Sequence, residues 1–61
     1  MKEFRIYVDG VLVNVCHNQY ALTTNTASYT DIFGKNRVTV KILEEVTNDK
    51  EKQEWLDSLE D

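Results

Sequence analysis

The dipeptide Asp9-Gly10 divides two runs of alternating apolar residues, EFRIYV and VLVNVC, near the start of the chain. Asp-Gly between such runs is a strong short-range signal for a β-hairpin, because a type I′ turn needs a positive φ at both central residues. The two strands are therefore expected at about residues 3–9 and 11–17.

A two-residue loop sets the register of this hairpin, with Val8 opposite Val11, Ile6 opposite Val13 and Phe4 opposite Val15. Six apolar side chains are then expected on one face: Phe4, Ile6, Val8, Val11, Val13 and Val15. The other face receives Glu3, Arg5, Tyr7, Leu12, Asn14 and Cys16.

Two later segments carry clear periodicity. The run RVTVKIL alternates with period two and predicts a third strand at 37–43, with Lys41 and Leu43 on the same side as Arg5. Helical spacing then predicts a C-terminal helix at about 48–60, capped by Thr47 or Asn48. One mainly apolar stripe of this helix, with Trp55 as its largest side chain, is expected to cover the apolar sheet face: Lys52, Trp55, Leu56 and Leu59.

The segment at 18–36 is less regular. SYTDIFG is typical of a helical turn with Ser28 as the cap and Gly34 as the terminating residue, whereas YTDIF is also compatible with a strand. Polar residues 23–26 are expected to form a loop in either case. Together these patterns predict one small α+β domain over 1–61, with a three-stranded, mainly antiparallel sheet and a C-terminal amphipathic helix on one face.

A chain of 61 residues lies near the lower size limit for independent folding. The single cysteine, Cys16, excludes an internal disulfide, and the usual zinc-binding spacings are absent. Self-association, most simply as a homodimer, is therefore the expected source of extra stability. The sequence has no apolar run of 18 residues and no signal-peptide pattern, which favours a cytoplasmic location and no membrane contact.

Few residues have side chains suited to catalysis or to binding a metal or cofactor. Cys16 and His17 are adjacent on a predicted strand, so their side chains are expected on opposite faces and do not form a nucleophile–base pair. Gly10 and Gly34 are too far apart for a phosphate-binding loop. The sequence thus predicts no catalytic residue, no cofactor and no metal site.

A contact surface is expected instead on the sheet face that carries tyrosine and arginine, the residue types enriched at interface hot spots. The predicted partner-binding residues are Arg5, Tyr7, Leu12, Asn14, Lys41 and Leu43. The same surface suggests a weak nucleic-acid-binding protein as one alternative, although so few cations in an acidic chain make nucleic acid an unfavourable partner.

Charge is unevenly distributed along the chain. Residues 1–43 carry a net charge of +2 and residues 44–61 carry −6. A second alternative is therefore an acidic helix face that imitates nucleic acid and occupies the basic groove of a nucleic-acid-handling enzyme: Glu51, Glu54, Asp57 and Glu60.

In size, acidity and single-domain layout the chain looks like the short accessory proteins encoded by phages and other mobile elements. That resemblance implies a small adaptor, or an inhibitor that binds a host enzyme such as a defence enzyme. The favoured hypothesis is a non-catalytic, acidic protein-binding module that regulates or inhibits a larger protein.

Overall fold

The computed structural model describes residues 2–44 and 49–59. The regular elements follow one another as β1 (Glu3–Val8), β2 (Val11–Cys16), α1 (Gln19–Phe33), a short 3₁₀ helix (Lys35–Arg37), β3 (Val38–Leu43) and α2 (Lys50–Leu59). The sheet has the order β2-β1-β3, and both pairings are antiparallel. The α+β class, the three-stranded sheet and the C-terminal helix are confirmed.

The hairpin turn has the predicted geometry. Asp9 and Gly10 have φ values of 53° and 82°, as the type I′ turn requires. Next to the turn, Val8 pairs with Val11 and Tyr7 pairs with Leu12, so the predicted register is correct at this end of the hairpin.

A β-bulge changes the register farther from the turn. Ile6 pairs with Asn14 and Phe4 with Cys16, so Val13 is an extra residue in β2. The predicted pairs of Ile6 with Val13 and of Phe4 with Val15 are wrong.

Local hydrogen bonds explain why the bulge is tolerated. The Asn14 side chain accepts a hydrogen bond from the Val15 amide at 2.8 Å, and the Val13 carbonyl accepts one from the Tyr29 hydroxyl at 3.3 Å. The bulge therefore leaves these two backbone groups satisfied. Because of this extra residue, the Cys16 side chain lies in the core and the Val15 side chain lies on the opposite face of the sheet.

The segment for which the sequence predicts a loop at 23–26 and then a helical turn or a strand contains a helix of 15 residues, α1. Asn18 caps it by accepting a hydrogen bond from the Ala21 amide at 2.7 Å, so the expected cap at Ser28 and the loop at 23–26 are wrong. Polar side chains inside the helix bond to carbonyls one turn earlier, as Thr23 does at 3.0 Å. The helix does end at Gly34, whose φ is 97°.

Helix α1, rather than the C-terminal helix, covers the apolar face of the sheet. The buried core cluster consists of Phe4, Ile6, Cys16 and Leu22, and the half-buried Val13, Ala21, Tyr29 and Val38 pack around it. The prediction that the C-terminal helix caps this face is wrong, because α1 supplies Leu22 and Tyr29 to the same position.

Helix α2 packs against the opposite face of the sheet. Asp49 is its N-cap, since its carboxylate accepts a hydrogen bond from the Lys52 amide at 3.1 Å. Thr47 and Asn48, the predicted caps, lie outside the described residues. Lys52 and Trp55 are half-buried, but Leu56 and Leu59 are exposed, Leu59 to 64%. Only part of the predicted apolar stripe therefore faces the sheet.

Candidate functional site

A buried guanidinium lies at the centre of the contact between β1 and α2. Arg5, only 2% exposed, donates from Nε to Glu3 Oε2 at 2.8 Å. Its two terminal nitrogens donate to the helix, Nη1 to Glu51 Oε1 at 3.2 Å and Nη2 to the Asp49 carboxylate. One cation of the sheet thus fixes the first turn of α2.

Two more side chains complete this arrangement. The Tyr7 hydroxyl donates to Glu51 Oε1 at 2.6 Å, and burial followed by this hydrogen bond raises the pKa of Tyr7. The Lys52 ammonium, on α2, donates a hydrogen bond to Glu3 Oε1. We call the set the Arg5 cluster, and its members are Glu3, Arg5, Tyr7, Asp49, Glu51 and Lys52.

Two carboxylates of the Arg5 cluster, those of Glu3 and Asp49, are held in their charged forms. Burial alone would raise the pKa of Glu3, but hydrogen bonds from Lys52 and Arg5 outweigh it and lower that pKa below its usual value. The hydrogen bond from Arg5 also lowers the pKa of Asp49. Breaking such a buried pair is costly, because the remaining charge loses its partner.

The predicted partner-binding surface is largely covered by α2. Arg5, Tyr7 and Leu12 were expected to point outward into solvent, but they are 2%, 5% and 8% exposed. The expectation of exposure is wrong, because the acidic first turn of α2 provides counter-charges for this face. Arg5 and Tyr7 are therefore closed to a partner in this conformation, and Leu12 keeps only a small exposed fraction.

The other three predicted contact residues lie at the margins of the covered face. Asn14 and Leu43 are half-buried, whereas Lys41 is exposed. The Lys41 ammonium lies 5.2 Å from the centre of the Tyr7 ring. A contact of a partner with these residues stays a prediction.

The predicted acidic face is divided between two roles. Glu51 is bound to Arg5 and Tyr7, while Glu54 and Asp57 are exposed. Glu60 lies outside the described residues. The structure describes three carboxylates of the predicted nucleic-acid-mimicking surface, and two of them, Glu54 and Asp57, make no ion pair with the sheet.

Strand β3 is the least covered element of the sheet. Its residues from Thr39 to Ile42 are all exposed, Ile42 to 59%. Neither helix covers it fully, and its outer edge pairs with no other strand of the described residues. A regular, apolar strand edge of this kind is a template for pairing with another chain.

The opposite edge of the sheet is less suited to pairing. The bulge at Val13 interrupts β2, and the Asn14 side chain occupies the Val15 amide. Bulges of this kind make an edge strand less able to pair with a strand of another chain. The structure thus offers one regular edge, at β3.

A cleft opens between the hairpin turn and α2. Its volume is about 490 Å³, and its lining residues are Gly10, Val11, Leu12, Glu51, Glu54, Trp55 and Ser58. Three of these residues belong to the hairpin and four to the acidic helix. We call it the hairpin–α2 cleft.

Sequence reasoning missed the Arg5 cluster, although a signal for it was present. Glu3, Arg5 and Tyr7 alternate along one strand and so share a face, while Asp49 and Lys52 stand three apart on a helix. Matching these two charge patterns would have indicated that the faces meet.

Within residues 2–44 and 49–59, no group of three or more His, Cys, Asp or Glu side chains is arranged to hold a metal ion. No helix in that part of the chain has the length and apolar character needed to cross a bilayer. The chain matches no protein-family model, and no curated protein or solved structure is significantly similar to it.

Replacing the buried guanidinium tests the role of the Arg5 cluster. Arg5→Met keeps much of the side-chain volume but leaves Glu3, Asp49 and Glu51 with one cation fewer. We expect the free energy of unfolding, measured by urea titration, to fall by about 3 kcal/mol.

Arg37→Met is the matched control, because Arg37 pairs with Asp9 at 3.0 Å on the surface and both partners are about half exposed. Exposed pairs of this kind add little stability. An Arg5→Met variant as stable as Arg37→Met would show that the buried pair does not hold α2.

Stability is also expected to depend on pH. The pKa values of Glu3 and Asp49 are lower in the folded chain than their usual values, so their contribution is complete above the unfolded pKa values. It is lost as the pH falls below about 4 and through the folded values. Urea midpoints measured from pH 7 down to 2 should fall in that range, and less steeply in Arg5→Met. Equal pH profiles for the two proteins would contradict the assignment.

Proposed function

We propose that the chain is a non-catalytic protein-binding module that forms a homodimer and regulates or inhibits a larger protein. The observation that carries this proposal is the regular outer edge of β3, which is exposed on both faces of the sheet. Pairing of strand edges is an established mode of protein recognition.

The backbone of β3 supports pairing through three residues. The Asp9 amide donates to the Arg37 carbonyl at 2.9 Å, so hydrogen-bonded pairs with β1 recur at Thr39, Lys41 and Leu43. The amides and carbonyls of the alternate residues therefore point away from β1. These residues are Val38, Val40 and Ile42.

The side chains favour one register for two copies of the chain. An antiparallel pair centred on Val40 places Val38 opposite the second copy's Ile42 and Lys41 opposite its Thr39, with no like charges facing each other. A pair centred on Lys41 would oppose two lysines, which is destabilising. The favoured register joins two sheets into one of six strands.

The surface left for the larger protein is the outer side of α2. Leu56 and Leu59 are exposed there, together with the carboxylate of Asp57. An apolar centre with a charged border is the usual composition of an interface. A narrower form of the proposal is an accessory protein of the phage type that acts in the cytoplasm by blocking a host defence enzyme.

Val40→Lys tests the dimer, because it places two ammonium groups face to face at the centre of the proposed pair. Light scattering coupled to size-exclusion chromatography should give twice the chain mass for the wild type and the single chain mass for Val40→Lys. Circular dichroism verifies that the variant is folded.

The control is Val11→Lys, the same substitution at an exposed valine on the other edge of the sheet. It should remain dimeric. A wild-type chain that is monomeric at every accessible concentration would exclude the homodimer, and loss of the dimer in both variants would exclude β3 as its edge.

A further inference from the structure

We propose that the hairpin–α2 cleft binds an arginine side chain of a protein partner. The inference rests on the proposed protein-binding function and names a specific contact for it. The cleft lies beside β2, at the opposite side of the sheet from the β3 edge, so both surfaces can be occupied together.

The helix side of the cleft has an unusual composition for a packing face. Glu51, Glu54, Trp55 and Ser58 recur at the spacing of one helix face, and all four line the cleft. A helix face turned toward a sheet is normally apolar. Glu51 holds α2 on the sheet through Arg5 and Tyr7, but Glu54 makes no such contact with the described residues, and the two carboxylates give the cleft an acidic wall.

The local charge favours a cation. The Arg5 cluster contains three carboxylates and two cations, a net charge of −1, and Glu54 adds another negative charge. Glu54 makes no ion pair or hydrogen bond with another described residue. One oxygen of Glu51 is bound to Arg5 and Tyr7, while its second oxygen accepts no hydrogen bond from the described residues.

Arginine fits the cleft better than other cations. Its planar guanidinium stacks on aromatic rings and bonds to carboxylates at the same time, and Trp55 and Glu54, which both line the cleft, supply these two groups. The apolar wall of Val11 and Leu12 suits the methylene stem of the side chain. The first turn of α2 already binds one guanidinium in this manner, that of Arg5.

The single tryptophan of the chain makes the inference measurable. The fluorescence of Trp55 is titrated with N-acetyl-arginine amide and, in parallel, with N-acetyl-citrulline amide, which has nearly the same shape but no charge. We expect saturable binding of the arginine compound and binding of the citrulline compound weaker by about fivefold or more.

Variants separate the cleft from general electrostatic attraction. Glu54→Gln should weaken arginine binding roughly fivefold, whereas Asp31→Asn, which removes the same charge from an exposed position of α1, should leave it unchanged. Equal binding of arginine and citrulline, equal effects of the two variants, or equal binding of N-acetyl-lysine amide would overturn the proposal.

The assay needs neither the dimer nor the larger partner. Val40→Lys should bind the arginine compound as the wild type does. If the wild type is monomeric but binds the arginine compound, the dimer is excluded and the cleft site is supported. If the wild type is dimeric but does not bind the arginine compound, only the cleft site is excluded.

Discussion

The ion pairs between Arg5 and the first turn of α2 are the interaction on which the rest of the structure depends. Arg5 lies on the central strand and is almost fully buried, so its charge must be neutralised by groups brought to it. Glu3 comes from the same strand, while Asp49 and Glu51 come from α2. The polar face of the sheet is therefore buried, and α2 is the helix that covers it.

This arrangement explains how a short chain forms three layers. Helix α1 covers one face through apolar packing around Ile6 and Leu22, and α2 covers the other mainly through charge. The two helices do not cover β3 fully, however, and its residues from Thr39 to Ile42 remain exposed on both faces. The surface proposed for self-association is thus a direct consequence of how little chain is available to cover the sheet.

Features set by local chemistry were predictable from the sequence. The turn at Asp9-Gly10, the pairing of Val8 with Val11 and the helix end at Gly34 follow from backbone preferences of neighbouring residues. The bulge at Val13 was not predictable, because one of the hydrogen bonds that satisfy its backbone comes from Tyr29, which is distant in sequence. The position of α2 was mispredicted because helical periodicity gives the apolar side of a helix but not which sheet face it meets. The carboxylates of α2 that pair with Arg5 determine which face of the sheet the helix meets.

The central claim is that α2 lies on the Arg5 face of the sheet and α1 on the Ile6 face. Nuclear Overhauser contacts in the isotope-labelled chain measure this most directly. The account predicts contacts between the Trp55 indole and the Leu12 methyl groups, together with contacts between Ile6 and Leu22. Contacts between the Trp55 indole and the Ile6 methyl groups, with Tyr7 and Leu12 open to solvent, would contradict it.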